Sequence, residues 1–491
     1  MNSEIYLSLP IIIITVFGLI AVTFDAFIKS KNVGYFISIL GLLAGGISAG
    51  VILYEYPGLV NLPNTETQLS AGLIKFGGYT AFFDLLFCVA GLLTIFSSRP
   101  FFRREYKEYN EYYSMMLFAI SGMMTIAHAN HMLTLFIGVE IMSICFYVLA
   151  GFIRTNKFSV EAALKYFLLG AFASGFLAYG MALIYGTTGT MSFPIITKAI
   201  NLGVANPTIL LIGVGLMIVG LAFKVAIFPF HQWAPDVYSG SPTVVTGFMS
   251  TAGKAAALIG FVVIARTIMP VVGGPQIETL FETENIQMLI AILSAATMLV
   301  GNITALVQKN VKRMLAYSSV AHAGYLLMGI VANNQQGWSG IAFYAMAYMF
   351  MQIGAFAVVG VIERKNSLNL DLSDYSGLSK SSPMLAGLMA LFMLSLAGIP
   401  PMAGFLGKYY LFIAAVEAGF TWLTIVAVIS SMISVYFYIG LIVYMYFKQP
   451  GENKIEAKLG GEGITLIVSA VCVLAFGIYP TMIVDLLSKC F

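Results

Sequence analysis

The sequence predicts an all-α polytopic membrane protein with about fourteen transmembrane helices. Of its 491 residues, 59% are hydrophobic and only 10% are charged, and the mean hydropathy of +0.90 is far above that of a water-soluble domain. The apolar residues fall into runs of about 20, the length that crosses a hydrocarbon core. These runs lie near residues 6–27, 33–54, 79–97, 113–129, 131–153, 161–186, 207–230, 243–266, 288–306, 311–331, 339–363, 383–418, 420–447 and 464–487.

The charges between the runs predict how the helices are oriented. The first run lacks a basic leading segment and a small-residue cleavage site, which predicts a retained helix rather than a signal peptide. Lys and Arg collect in every second connection, so the positive-inside rule places these connections in the cytoplasm and both termini in the periplasm, or its equivalent. The opposite connections hold Lys75, Lys198, Arg266 and Lys489. The predicted cytoplasmic set is Lys29, Lys31, Arg99, Arg103, Arg104, Lys107, Arg154, Lys157, Lys309, Lys312, Arg313, Arg364, Lys365, Lys380, Lys448, Lys454 and Lys458.

Two runs contain prolines that predict interrupted helices. Pro229 follows Lys224 by five residues, and Pro400 and Pro401 precede Lys408 in a run too long for one ordinary span. A proline removes a backbone donor, so the freed groups must be satisfied nearby. The breaks lie five helices apart, which predicts inverted repeats; ordinary proline kinks are the alternative. The predicted units are an N-terminal three-helix segment (1–112), a first repeat (113–266), a second repeat (288–447) and a C-terminal helix (448–491).

Ionisable side chains inside the apolar runs are the candidate functional residues. A charge at mid-membrane costs roughly 2.5–3.5 kcal/mol on insertion scales, so it usually faces a bundle interior and marks an ion or proton path. A buried lysine beside a carboxylate can change its charge when the surroundings rearrange. The pattern therefore predicts a conductor of protons or cations, whose candidates are Glu140, Lys165, Lys224, Lys254, His322 and Lys408.

Several of these candidates also have a simpler structural interpretation. Lys224 and Glu140 would form a static buried ion pair, and Lys254, flanked by small residues, would only pack or snorkel to an interface. Lys165 lies near the start of its run, where snorkelling to the cytoplasmic surface competes with a role as a relay. His322 lies on an apolar face, where a core histidine is the competing interpretation, although neighbouring serines could hold water.

Other polar residues in or near the runs are secondary candidates. His231 lies seven residues after Lys224, two turns along one face if the helix is continuous, and could receive its proton. Asp84 could pair with a neighbouring helix or subunit. Asp25 is predicted to lie at a helix end, and His128 and His131 are predicted to lie at an external helix end, at an interface.

The sequence lacks the motifs of several function classes. It contains no dinucleotide-binding glycine motif, no phosphate-binding lysine loop and no cysteine run for an iron–sulfur cluster. The four cysteines show no C-x-x-C spacing, which predicts buried thiols without metal, cluster or disulfide. The net charge of +3 is spread over short connections, so the lipid bilayer and other membrane proteins are the expected partners and nucleic acid is not. Any energy source should lie in another subunit.

Four segments carry a resemblance to a known family: FKVAIFPFHQWAPDVYSGSPTVVTGFMSTAGKAA, VKRMLAYSSVAHAGYLL, FIGVEIMSICFYVLAGF and LAGIPPMAGFLGKYYLF. They resemble subunit N of the bacterial proton-translocating NADH:quinone oxidoreductase, respiratory complex I, in the antiporter-like (Mrp-related) family. The similarity covers most of the chain, from about residue 80 to 450. It implies fourteen helices with two inverted five-helix repeats, and a proton path through Glu140, Lys165, Lys224, Lys254, His322 and Lys408.

The resemblance also implies a place in a larger complex. The chain would be a non-redox subunit of a translocase in the bacterial inner membrane, coupling electron transfer from NADH to quinone to proton pumping. FMN, iron–sulfur clusters and quinone are expected in other subunits, and no cofactor is expected in this chain. The implied partners are the other antiporter-like subunits, the small membrane subunits and, indirectly, the peripheral redox arm. The resemblance favours subunit N over the two other antiporter-like subunits of the complex. The largest of these has extra C-terminal spans and a long lateral helix, and the middle one usually has glutamate where this chain has Lys408.

Three alternative functions remain open from the sequence. The chain also resembles the homologous subunit of the ferredoxin-dependent photosynthetic complex, which leaves the electron donor undecided. A subunit of a multi-subunit Na⁺/H⁺ antiporter of the Mrp type would share the lysine row, although the DVYSGSPT segment argues against it. A stand-alone carrier for an organic solute needs specific polar contacts, whereas the predicted broken helices offer mainly Lys, Pro and Gly.

Overall fold

The structure is a computed structural model that describes residues 3–27, 32–58, 72–106, 109–203, 206–269, 283–364, 370–450 and 460–490. Within these ranges the regular structure is helical, with only three isolated β-bridges between loops. The helices are α1 (Ser3–Leu7), α2 (Leu9–Phe27), α3 (Val33–Glu55), α4 (Gly78–Glu105), α5 (Glu111–Ala127), α6 (Met132–Ala150), α7 (Lys157–Thr188), α8 (Phe193–Asn201), α9 (Pro207–Val225), α10 (Trp233–Gly240), α11 (Thr243–Phe248), α12 (Lys254–Ile268), α13 (Thr283–Leu306), α14 (Val311–Ala332), α15 (Gln335–Ile362), α16 (Leu378–Ser381), α17 (Pro383–Ala397), α18 (Ala403–Glu417), α19 (Thr421–Phe447), α20 (Glu462–Ile478) and α21 (Thr481–Cys490).

Length and composition identify the chain as a multi-pass membrane protein. In the described residues, ten helices are long and apolar enough to cross a membrane, or eleven if α20 and α21 form one bent span. The predicted all-helical fold is confirmed. The run 464–487, predicted as one helix, is instead divided at Pro480, where α20 and α21 meet at 83°. Proline removes a backbone donor and disfavours helical geometry in the residue before it, which accounts for the bend.

The helices form a fully buried centre and a rim with exposed apolar side chains. In α15, and in the span formed by α11 and α12, the whole apolar stretch is buried, and α14 is nearly as enclosed. By contrast α7 and α19 are mostly exposed along their length, with large apolar side chains such as Phe172 and Tyr436 pointing outwards. A helix that is apolar on all sides and exposed on one suits a lipid or subunit boundary. Polar side chains in the central helices are therefore buried away from lipid and water, which makes them the candidates for a function.

Small residues allow the helices to approach closely. Where α7 crosses α9, a Cβ added to Gly180 would lie 2.5 Å from the carbonyl oxygen of Gly213, and one added to Gly220 would lie 2.9 Å from that of Ala173. Membrane helices associate through such close packing, because lipid offers no hydrophobic driving force between them. This contact fixes α9, which carries Lys224, against the helix that carries Lys165.

Both predicted interruptions are present. The span that includes Pro229 ends as a helix at Val225 and resumes as α10, and the long twelfth run is divided into α17 and α18. Another irregularity was not predicted: a π-helical turn, Met249–Gly253, separates α11 from α12. Six of the predicted loop cations lie outside the described residues, namely Lys29, Lys31, Lys107, Lys365, Lys454 and Lys458.

Candidate functional site: a buried row of lysines

The break after α9 leaves its last carbonyl groups without partners within the helix, and the following residues satisfy them. Ala226 adopts the left-handed conformation, with φ of 64°, and turns the chain out of the helix. The indole nitrogen of Trp233 donates to the carbonyl oxygen of Phe223 at 2.9 Å, and the amide of Phe228 donates to the Thr297 hydroxyl at 3.0 Å. The unwound segment is thus stable inside the protein, where unpaired backbone groups would be costly.

Lys224 lies in the last turn of α9 and is 5% exposed. Its Nζ donates to the Ser143 hydroxyl at 2.8 Å and to the Tyr147 hydroxyl at 3.0 Å, both on α6. Glu140 lies one turn before Ser143 on the same helix and accepts a short hydrogen bond from Ser174 of α7. Although both residues are described, Lys224 and Glu140 form no direct ion pair; Glu140 acts on the ammonium group only electrostatically.

The break between α17 and α18 places a second lysine beside a free helix end. Lys408 is 4% exposed, and its Nζ donates to the carbonyl oxygens of Leu396 at 3.0 Å and Ala397 at 3.2 Å. It also donates to the Ser431 hydroxyl at 2.9 Å and lies 4.9 Å from the centre of the Tyr325 ring. The last carbonyls of a helix carry partial negative charge, so the ammonium group caps α17.

Between the two breaks, Lys254 contacts the polar face of α14. It is the first residue after the π-helical turn, a distortion that is frequent at functional sites. Its Nζ donates to both the carbonyl oxygen and the hydroxyl of Ser319 at 2.5 Å, and the residue is 3% exposed. The described residues place no carboxylate within ion-pairing distance of this ammonium group.

His322 joins this region to the second break through hydroxyl groups. Its Nδ1 lies 2.5 Å from the Tyr344 hydroxyl, and its Nε2 lies 3.1 Å from the Tyr438 hydroxyl. Tyr438 also shares a short hydrogen bond with Ser318, the neighbour of the serine that binds Lys254. Tyr325, one turn after His322 on α14, lies under Lys408. Imidazole and hydroxyl groups can both donate and accept, which suits them to proton transfer.

Comparison with known proteins identifies the family. Residues 129–434 match the family described as NADH:quinone oxidoreductase/Mrp antiporter, TM. A protein of Trichlorobacter lovleyi named NADH-quinone oxidoreductase subunit N is 44% identical over 97% of this chain and 95% of its own length. A chain in the structure of respiratory complex I from Thermus thermophilus with bound aureothin is 31% identical, with a TM-score of 0.81 over 98% of this chain and 100% of that chain. The chain belongs to the NADH-quinone oxidoreductase subunit N family.

The fold is shared more widely than the sequence. A chain in the structure of the Mrp complex from a Dietzia species covers 100% of this chain and 97% of its own length with a TM-score of 0.83, but the two are only 22% identical. That likeness establishes the fold alone. The two matched chains come from structures of complexes, respiratory complex I and the Mrp complex.

Lys165 occupies a different environment from the buried lysines. Its side chain is 42% exposed and bridges Glu161 at 2.7 Å and Asp236 at 3.0 Å, and Arg313 binds the other oxygen of Asp236 at 2.7 Å. Asp236 therefore accepts a hydrogen bond from a cation at each of its two oxygens. These residues line an open cavity of about 410 Å³. The structure therefore places Lys165 at the edge of the bundle.

Some sequence interpretations were wrong. His231 does not share a helical face with Lys224, because α9 ends at Val225; its ring is buried and its Nδ1 has no hydrogen-bond partner among the described residues. His128 lies at a helix end as predicted, at the C-cap of α5, but it is not interfacial, because it is 1% exposed and pairs with Asp84 at 2.9 Å. The helix-end predictions for the other two residues hold, since His131 caps α6 and Asp25 lies in the last turn of α2.

Sequence reasoning also missed one buried pair. Lys312 was counted as a loop cation, but it is 1% exposed and lies 3.8 Å from Glu363, itself 3% exposed. The available signal was the position of Lys312 in the first turn of an apolar helix, where the helix dipole disfavours a cation. Among the described residues, no group of three or more His, Cys, Asp or Glu side chains could hold a metal ion.

Proposed function

We propose that this chain is the membrane-arm, proton-translocating subunit N of an NADH:quinone oxidoreductase, in which the buried lysines carry the transferred protons. The observation that carries the proposal is the continuity of the row. The row runs over the neighbouring helices α12, α14, α15 and α19, and Tyr325 leads on to Lys408. Its members, in order, are Lys254, Ser319, Ser318, Tyr438, His322 and Tyr344. The chain contributes no redox centre to the reaction; its role in the translocase is electrostatic.

At the first break, we assign Glu140 and Lys224 to one exchange unit. The Ser143 and Tyr147 hydroxyls hold Lys224 one turn along α6 from the carboxylate, so a small movement of α9 would bring the charges together or apart. Approach of Glu140 would favour the charged lysine, and separation in a dry site would favour release of its proton. Tyr147 also lines a cavity of about 870 Å³, which offers water access to this lysine.

We assign the remaining candidates by their positions. Lys254 and His322 relay protons between the two halves, and Lys408 controls exchange at the second break. Lys165, at the edge, responds to charge outside the chain through Glu161 and Asp236. His231 is retained as an additional relay candidate, because its ring is buried and its Nδ1 has no hydrogen-bond partner among the described residues.

The proposed topology has fourteen spans with two inverted repeats, residues 113–266 and 288–447, between an N-terminal three-helix segment (1–112) and a C-terminal helix (448–491). Each repeat contains five long or paired helices, and in each the fourth is broken: α9 with α10, and α17 with α18. We propose a bacterial inner membrane location with both termini periplasmic, which the distribution of loop cations supports. The proposed neighbours are other antiporter-like and small membrane subunits, with FMN, iron–sulfur clusters and quinone in the rest of the complex.

The test is NADH-driven acidification of inverted membrane vesicles that contain the fully assembled complex, measured together with quinone reduction. Lys224→Ala should lower both activities by at least tenfold, because it removes a proton-transfer group. Lys198→Ala, which changes an exposed lysine on α8, is the matched control and should keep wild-type rates. Wild-type pumping by the Lys224 variant would make that residue structural.

The same vesicles distinguish the redox-coupled function from a second candidate. That candidate is a subunit of a sodium/proton antiporter, which the fold shared with the Mrp complex supports. Proton movement that requires sodium and is indifferent to NADH would support that candidate and overturn the redox-coupled one. Replacing NADH by reduced ferredoxin as the electron donor tests the related photosynthetic-type complex.

A further inference from the structure

The buried pair of Lys312 and Glu363 has the features of a proton-transfer site that the row does not include. Lys312 donates to the carbonyl oxygen of Ser241 at 2.5 Å, and Glu363 accepts a short hydrogen bond from the Thr243 hydroxyl. The ammonium and the carboxylate are 3.8 Å apart, beyond hydrogen-bonding distance, so each is held separately while remaining close to the other. The Tyr375 hydroxyl, which interacts electrostatically with Glu363, is buried without a hydrogen-bond partner.

Stability alone gives a poor account of this pair. Removing two charges from water costs several kcal/mol per ion. The attraction between the charges offsets this cost only when they are in close, well-aligned contact. A direct contact of 3.8 Å is not excellent geometry, and Lys312 also occupies the helix end that disfavours cations. A lysine and a carboxylate that lie this close, each held by a separate hydrogen bond, can exchange a proton after a small movement of either side chain.

An open cavity lies beside the pair. The cavity of about 410 Å³ is lined by Gly240 and Arg313, the chain neighbours of Ser241 and Lys312, and by Asn310, two residues before Lys312. A cavity of this size holds several water molecules. Water in this cavity can therefore reach Arg313 and Gly240, the neighbours of Lys312 and Ser241 in the chain, while the Lys312 side chain itself stays buried.

Polar groups continue from the pair towards the row. Ser319, the partner of Lys254, lies seven residues after Lys312, on the same face of α14 and roughly 10 Å along it. Between them, Gln352 of α15 donates to the carbonyl oxygen of Leu315 at 3.3 Å. Gln352 is fully buried, and its Oε1 has no partner among the described residues. A buried unpaired amide oxygen between two polar sites is a position for a bridging water.

We propose that Lys312 and Glu363 form a proton-uptake station, filled from the cavity beside Asn310 and Arg313, that delivers protons through Gln352 to Lys254. This inference rests on the proposed function, because it supplies the row with a source on the side of the bundle that carries Arg313 and Asp236. The station lies at the ends of α14 and α15, whereas Lys254, His322 and Lys408 lie along the row itself.

The test compares variants of the assembled complex in inverted vesicles, with NADH-driven acidification expressed per assembled complex. Lys312→Met and Glu363→Gln are made singly and together. If the pair were a static ion pair, each single variant would be impaired by an unpaired buried charge and the double variant would recover. If the pair is an uptake station, each of the three variants lacks at least one of its proton-transfer groups. The double variant should then pump at least tenfold more slowly than wild type.

The matched control is the pair of Arg104 and Glu462, 3.4 Å apart, which also joins a cation to a buried carboxylate but has no connection to Gln352 in the structure. Arg104→Gln with Glu462→Gln should leave pumping per assembled complex unchanged. Gln352→Leu keeps both charges of the station and decides the question if the double variant does not assemble. It should slow pumping severalfold and raise the ratio of turnover in H₂O to that in D₂O, which a merely structural change would not do.

Two outcomes overturn the inference: wild-type pumping by the assembled double variant, or wild-type pumping by Gln352→Leu. Lys254→Met, measured in the same series, separates this result from a failure of the proposed function. If Lys254→Met pumps normally, the row itself is wrong. If Lys254→Met is impaired while the double variant or Gln352→Leu is normal, only the uptake station is wrong.

Discussion

The two broken helices bury a lysine by different means. At the first break, Lys224 is held by hydroxyl groups of a neighbouring helix and has Glu140 one turn further along that helix. At the second, Lys408 is held mainly by the carbonyl oxygens of its own broken span. Hydroxyl groups can turn from accepting to donating, whereas carbonyls can only accept. The hydroxyl groups around Lys224 can therefore follow a change of its charge, whereas the carbonyl groups around Lys408 require a hydrogen-bond donor.

The largest expected effect comes from reversing the charge at the second break. Lys408→Glu would direct a carboxylate at the carbonyls of Leu396 and Ala397, and an unpaired buried charge costs about 3–5 kcal/mol. We expect at least a tenfold loss of assembled complex, measured on native gels of solubilised membranes. Lys408→Gln keeps a donor for the carbonyls, so it should assemble and yet fail to pump. Normal assembly of Lys408→Glu would show that the carbonyls do not select a cation.

A smaller effect is expected from neutralising the carboxylate at the first break. Glu140→Gln keeps the size of the side chain and a contact for Ser174, but it removes the charge that attracts Lys224. Assembly should be normal, and NADH-driven pumping should fall by roughly tenfold, within the range for removing one acid–base group. Glu417→Gln is the matched control, because that carboxylate is exposed at the last residue of α18 and has no place in the proposed path. Equal pumping by both variants would remove Glu140 from the exchange unit.

The two breaks also show what could be predicted from sequence. Pro229, Pro400 and Pro401 indicated that the helices are interrupted, because proline cannot donate a backbone hydrogen bond. They did not show that α9 ends four residues before Pro229, because that end depends on Ala226 turning left-handed and on Trp233 folding back to cap it. Local signals locate a break, but tertiary contacts set its geometry.

The candidate site likewise has features that the sequence predicts and features that depend on tertiary contacts. Lys224, Lys254 and Lys408 stood out because each is a charge within an apolar run, and the structure buries all three. The partner of Lys312 lies far along the chain at the end of α15, and nothing in the local sequence links the two residues. Lys408 binds carbonyl groups, which every residue has, so its partners left no signal in the side chains. Burial could be predicted from composition, whereas partners depended on the packing of distant helices.

The smallest expected effects come from the turns that end the two helices. Ala226 adopts φ of 64°, a conformation that costs an L-residue roughly 1 kcal/mol, whereas Gly398 adopts φ of 84° at little cost. Ala226→Gly should therefore leave the complex as stable as wild type or slightly more stable. Gly398→Ala should lower stability by about 1–2 kcal/mol, and its new Cβ would lie 3.2 Å from the Cδ and Nζ of Lys408.

The measurement for both variants is the temperature at which solubilised complex loses quinone reductase activity, with pumping recorded at a lower temperature. If only strain matters, Gly398→Ala lowers that temperature and leaves pumping intact. If the position of the ammonium group matters as well, pumping falls at temperatures where the complex is still stable, because the added Cβ displaces Lys408 from the carbonyls. If Gly398→Ala changes neither the inactivation temperature nor pumping, both explanations are wrong, because residue 398 then accepts a Cβ without strain and without displacing Lys408. We expect no equivalent coupling at the first break, because the hydrogen bonds of the Lys224 ammonium group are to α6 and not to the turn at Ala226.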